Sequence, residues 1–151
     1  MTFTPKDKLE QVFEKQLELQ TRITGSDPST LSEEEKIQYI RIMVLALDDE
    51  LHEALAEISW KPWASAHYIN RDAYVSELID AMHFLVNLFL VAGCDAREVA
   101  GLYAMKSAKN HKRQNDGYDG ISTKCPVCRR ALDDEFVTCD PERLFCGWGA
   151  A

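Results

Sequence analysis

This sequence predicts an all-α protein, a bundle of four or five helices followed by a short cysteine-rich tail. Three observations predict it. Apolar residues recur at helical spacing through four long segments. Nothing between Ser32 and Gln114 alternates with the period of a strand. Four of the five cysteines crowd into the last 27 positions, a pattern of metal ligation in a reducing, intracellular setting more than of a disulfide scaffold. The 151 residues suit one ordinary domain with an appendage, and 46% hydrophobic content is enough for a core. The longest apolar run, Phe84 to Gly93, is broken by Asn87 and falls far short of the roughly 20 residues that span a bilayer, so no membrane is expected. The opening MTFTPKDKLEQ has no apolar stretch and is not expected to be a signal peptide, which points to the cytoplasm, or to the host cytoplasm if the protein is viral. Acidic residues outnumber basic ones 25 to 17, and the net charge of −8 disfavours a nucleic-acid polymer or an anionic membrane as partner.

The first helix is predicted from about Lys6 to Ile23, with Leu9, Val12, Phe13, Leu17, Leu19 and Ile23 on its apolar side and a stop at Gly25. SDPST then reads as a turn. Ser32 and Glu35 form the capping-box pattern that opens a second helix, running through Ile37, Ile40, Val44, Leu47, Leu51 and Leu55 to about Ile58. Pro62, within WKPW, cannot continue it. A third helix begins near Arg71, with Asn70 as N-cap, and ends at Gly93. Asp95 caps a fourth, which reaches about Arg113. The turn-rich NDGYDG separates a helical domain, residues 1–120, from a tail, residues 121–151.

Glu50 and Glu53 are three apart on the second helix, and Glu77 and Asp80 are three apart on the third, so each pair shares a helix face. If the two helices pack antiparallel, four carboxylates converge. Buried like charges are costly, and a divalent cation is their natural compensation. Hard oxygen ligands suit magnesium, or manganese in its place, and magnesium usually serves a phosphate-bearing substrate. Glu-x-x-Glu is also what a solvated helix face looks like, and spacing alone leaves both readings open. Lys106, Asn110 and Arg113, spaced four then three on the fourth helix, offer an ammonium, an amide and a guanidinium to phosphate oxygens, or merely complement the helix dipole.

Together these motifs resemble the all-α nucleoside triphosphate pyrophosphatases, the MazG-like superfamily. Glu50-x-x-Glu53, 23 intervening residues and Glu77-x-x-Asp80 look like its signature. WKPW, Asp80-x-x-His83-Phe84, and Lys106-x-x-x-Asn110-x-x-Arg113-Gln114-x-x-Gly117-Tyr118 are similar, in order, to motifs of its dimeric dUTPase branch. The resemblance implies hydrolysis of a deoxynucleoside triphosphate to the monophosphate and pyrophosphate. It implies two or three magnesium or manganese ions held by Glu50, Glu53, Glu77 and Asp80, with Glu53 orienting or deprotonating the attacking water. Lys106, Asn110, Arg113 and Tyr118, with Lys61, would hold phosphates, and Trp63 would stack on the base or pack in a core or dimer interface. The branch reads uracil with a Gln and an Asn on its first helix. Here Gln16 fits and Gln20 stands where Asn is expected, which leaves the base open between dUTP and a purine such as dGTP or dATP, as in phage relatives. The other reading of Gln16 and Gln20 is an exposed helix surface. His83 reads as a structural histidine and Cys94 as a core residue. Relatives pair, so a homodimer or higher homo-oligomer is expected.

In the tail, Cys125-x-x-Cys128 looks like half of a zinc knuckle, and with Cys139 and Cys146 it is expected to supply four thiolates to one structural zinc; a redox Cys-x-x-Cys or unbound thiols are the other readings. So short a segment has too little core to fold without such a staple. With four basic and five acidic residues, the tail offers no phosphate-binding patch. A non-catalytic nucleotide-binding protein or a zinc-ribbon adaptor is the alternative that the sequence leaves standing.

Overall fold

The structure, a computed structural model, describes residues 7–120, 124–125, 131, 137–140 and 145–148. Among them lie four α-helices, α1 (Lys8–Thr24), α2 (Glu33–Ala56), α3 (Arg71–Val91) and α4 (Ala96–Asn115), with a 3-10 turn at Pro28–Thr30 between the first two. Two short strands, β1 (Val137–Asp140) and β2 (Phe145–Trp148), pair antiparallel. The chain divides into two compact units, residues 1–102 and 103–151, and the division falls within α4. The composition change near Gly120 lies inside the second unit.

Local chemistry sets the helix ends. Asp7 and Glu10 close a capping box on α1, and Ser32 and Glu35 close one on α2, where the Ser32 amide donates to Glu35 Oε2 at 2.9 Å. The connection from α2 to α3 is tied at its base. Ile58 pairs with Ile69 in an antiparallel bridge, and the Asn70 amide nitrogen donates to the Glu57 carbonyl at 2.9 Å. Asn70 occupies the N-cap position of α3 but does not cap it, because its side chain donates across the loop to Glu57 Oε2 at 2.7 Å. At the end of α3, Cys94 N–H reaches the Phe89 carbonyl and Gly93 N–H the Leu90 carbonyl, a Schellman motif that places Gly93 at φ 79. Asp95 then caps α4 by accepting from the Glu98 amide at 2.8 Å.

The core of the first unit is small. Phe13, Val86, Leu90 and Ala96 are buried together, with Leu9, Leu17, Met82, Phe89 and Val99 packed on them. The rings of Phe13 and Phe89 stack with centroids 6.3 Å apart. Many apolar residues that the helical periodicity marks on α2 and α3 remain exposed in the single chain, among them Ile37, Leu51, Leu78 and Ile79. α3 is the one described helix long and apolar enough to cross a membrane by length and composition. Its buried Asn87 is hydrogen-bonded to both α1 and α2, as a bundle's central helix requires.

Candidate active site

Among the described helices, α2 and α3 share the most extensive contact. Their antiparallel register follows from two fixed points. Ile58 pairs with Ile69 at the loop end, and Asn87 Nδ2 donates to the Met43 sulfur at 3.3 Å further in. The register that puts Met43 opposite Asn87 puts Glu50 opposite Asp80, seven residues along each helix, and Glu53 opposite Glu77, ten along. Accordingly Glu50, Glu53 and Glu77 each bring a carboxylate oxygen within 4.8 Å of the others. Asp80 is close enough to raise the pKa of Glu50. Burial first, then the charges of Glu53, Asp80, Glu77 and Asp49, push the Glu50 carboxyl above the usual carboxylate range. Glu50 and Glu77 are half-buried and Glu53 is exposed. A trio of hard, mutually repelling oxygens on two packed helices fits a divalent cation such as magnesium or manganese.

Further along the same helices lies a buried polar array. Gln16 and Gln20 are not the exposed helix surface that was one expectation for them. They are 4% and 8% exposed, facing α2 and α3. Gln16 Nε2 donates to Asn87 Oδ1 at 2.7 Å, and Gln16 Oε1 lies 2.6 Å from His83 Nδ1. The Tyr39 hydroxyl donates to Gln20 Oε1 at 2.8 Å. Burial pushes the Tyr39 pKa up to about 12, which keeps the phenol a donor at any working pH. His83 is exposed, with its Nδ1 engaged by Gln16. Tyr39, Met43 and Asn87 were not expected at a site. The one signal in the sequence was Asn87 itself, a carboxamide set in the longest apolar run.

In the connection between α2 and α3, Trp60 and Trp63 are 50% and 78% exposed, so neither packs in the core of this chain. Lys61 Nζ stands 5.7 Å from the Trp60 ring centroid. In the second unit, a Schellman motif at Gly117 (φ 74) folds Tyr118 back over the end of α4. The Arg113 guanidinium consequently lies 5.7 Å from the Tyr118 ring centroid, and it also donates to Asn110 Oδ1 at 3.4 Å. Lys106 and Asn110 line a cavity of about 250 Å³ with Tyr103, Ser107, His111 and Gln114. Cys94 is only half-buried. It lines a cavity of about 560 Å³ between α1 and the α3–α4 turn, and burial and Glu98 push its thiol pKa up. Cys125 is buried, Cys139 and Cys146 are directly opposite in the β1–β2 register, and Cys128 lies outside the described residues.

A family model described as dUTPase matches residues 8–98, which carry α1 to α3 and all four carboxylates. A dCTP pyrophosphatase of Enterobacteria phage LZ5 is 27% identical over 143 residues, covering 74% of this chain and 83% of the phage protein. A dCTP pyrophosphatase of Enterobacteria phage T4 is 25% identical, covering 75% and 84%. No solved structure matches at a significant level. The chain belongs to the dUTPase family of all-α, MazG-like nucleoside triphosphate pyrophosphatases. It is accordingly an enzyme, a dNTP pyrophosphatase.

Proposed function

We propose that the chain hydrolyses a pyrimidine deoxynucleoside triphosphate, dCTP foremost and dUTP second, to the monophosphate and pyrophosphate with magnesium. The observation that carries this reading is the meeting of Glu50, Glu53 and Glu77 on facing helices inside the family match. The names of the two phage relatives and of the family support a pyrimidine base over the purine reading.

Glu50, Glu53, Glu77 and Asp80 would hold two or three magnesium or manganese ions. Bound there, they supply positive charge to the triphosphate and lower the pKa of a coordinated water. Glu53, the exposed member of the trio, would orient the attacking water and take its proton as the oxygen attacks the α-phosphorus. The bond to the bridging oxygen breaks and pyrophosphate leaves. Lys61, Lys106, Asn110, Arg113 and Tyr118 hold phosphate oxygens, on the strength of their donor chemistry and the family resemblance. Gln16 and Gln20 read the base, and Trp63, exposed on its loop, stacks on it. The working unit is a homodimer or higher homo-oligomer in the cytoplasm.

Cys125, Cys128, Cys139 and Cys146 hold one structural zinc in this reading. Lys124, beside Cys125, pairs with Ala131 in an antiparallel bridge, and the register of β1 and β2 sets Cys139 opposite Cys146, which supports this reading for three of the four cysteines.

Pyrophosphate release measured across dCTP, dUTP, dTTP, dATP, dGTP and the ribonucleotides tests the substrate, and chelation of divalent ions should stop it. Glu77→Gln should remove more than about 99% of the activity without unfolding the chain, since even outer-sphere partners of a metal are worth about 10–100-fold. A fully active Glu77→Gln variant would remove the assigned site. Metal analysis should find about one zinc per chain, and a zinc-free, folded protein would refute the tail site.

A further inference from the structure

The buried amides have a direction. A thioether accepts hydrogen bonds and cannot donate them. Asn87 is 1% exposed and faces the Met43 sulfur at 3.3 Å, so it must turn Nδ2 toward Met43 and Oδ1 toward Gln16. Gln16 must then present Nε2 to Asn87, at 2.7 Å, and Oε1 to His83, at 2.6 Å. His83 Nδ1 is therefore a donor. Donation runs one way, from His83 to Gln16 to Asn87 to Met43, and Met43 is its fixed end. A freely turning glutamine amide has no such polarity.

That polarity matters to a pyrimidine. The 4-amino edge of cytosine offers a donor at N4 beside an acceptor at N3. The 4-oxo edge of uracil offers an acceptor at O4 beside a donor at N3. Held in one place, the two bases ask for opposite orientations of a facing amide. After its two bonds in the array, Gln16 keeps one N–H and one oxygen lone pair. The array also sits where a base would fall. Asn87 is seven residues from Asp80 on α3, and Met43 seven from Glu50 on α2, about 10 Å along each helix from the carboxylates.

We propose that His83, Asn87 and Met43 are positioning residues that lock the Gln16 amide in one orientation and thereby make the site choose between the 4-amino and 4-oxo pyrimidine edges. The proposal rests on the reading that Gln16 contacts the base, and adds that the choice is set from α2 and α3. Replacing Met43 by leucine removes the acceptor-only end while conserving volume. The chain of donors is then free to reverse in concert, because the exposed His83 has a second tautomer available.

The test is steady-state kinetics with dCTP and dUTP, together with equilibrium binding of both nucleotides, for the wild type, Met43→Leu and His83→Leu. The wild type should separate the two substrates about tenfold or more in KM, the discrimination expected of one well-oriented bidentate pair. Both variants should narrow the ratio to within about threefold. Met43→Leu should do so with kcat nearly unchanged, a split that loss of packing alone does not produce. A wild type that handles both bases alike, or a folded variant that keeps the wild-type ratio, overturns the lock while leaving the pyrophosphatase reading intact. A tenfold preference for dUTP that relaxes in both variants supports the lock and corrects the choice of dCTP. A wild type that binds neither nucleotide overturns both.

Discussion

Glu50 sits among like charges, and the sign of its shift makes a prediction. A carboxyl whose pKa is raised in the folded state binds its proton more tightly there than in the unfolded chain. Its ionised form therefore costs stability. The cost is absent below the ordinary glutamate range and grows as pH rises through the folded-state value. Metal-free protein should lose stability over that rise, and Glu50→Gln should melt higher than the wild type at pH 7 without metal while lacking the stabilisation that magnesium should confer on the wild type. Thermal melts with and without magnesium read both, and a metal-free Glu50→Gln that melts lower than the wild type would deny the repulsion. These carboxylates were legible in the sequence because helix spacing fixes which residues share a face. Asn87 was not legible as a partner of Gln16, since 71 residues separate them and only the tertiary packing of α1 on α3 joins them. Removing its side chain with Asn87→Ala should cost about 2–3 kcal/mol in chemical denaturation, because the Gln16 N–H is left buried without its acceptor.

At the scale of elements, the sequence spoke most clearly at helix ends. Ser32 with Glu35, Gly93 and Asp95 all act as their local patterns predict, because capping is decided within a few residues. Asn70 shows the limit. Its type suits a cap, but Glu57, brought near by the closing of the loop, takes its amide instead. The same local chemistry is open to test. The Ser32 hydroxyl and amide hold the Glu35 carboxyl below its usual range. The stability this supplies is full above the ordinary glutamate value and lost as pH falls through the folded-state value. Ser32→Ala should cost about 1 kcal/mol at pH 7. That penalty should shrink in acid, and a penalty independent of pH would show that the box contributes nothing through Glu35. Gly93→Ala meets no atom within 4 Å of the new Cβ, so its cost is backbone strain alone, about 1 kcal/mol at φ 79.

For the whole molecule, the apolar pattern and the burial disagree, and the disagreement points to a second copy. Ile37, Leu45 and Leu51 on α2 and Leu78 and Ile79 on α3 are all at least one-third exposed, with Leu45 at 70%. A single chain rarely leaves so much large apolar surface on its two central helices, whereas a homodimer covers about 800 Å² on each partner. The charge of −8 sharpens the expectation, because two such chains repel at long range. Association must then come from apolar burial and should strengthen as salt screens the repulsion. Sedimentation equilibrium should find at least twice 17.2 kDa, with tighter assembly at high ionic strength. Leu45→Lys puts a charge on the most exposed of these positions and should shift the protein toward 17.2 kDa while the helical content persists. A wild type that sediments as one chain at micromolar concentration in high salt would mean that this surface has no second copy to cover it.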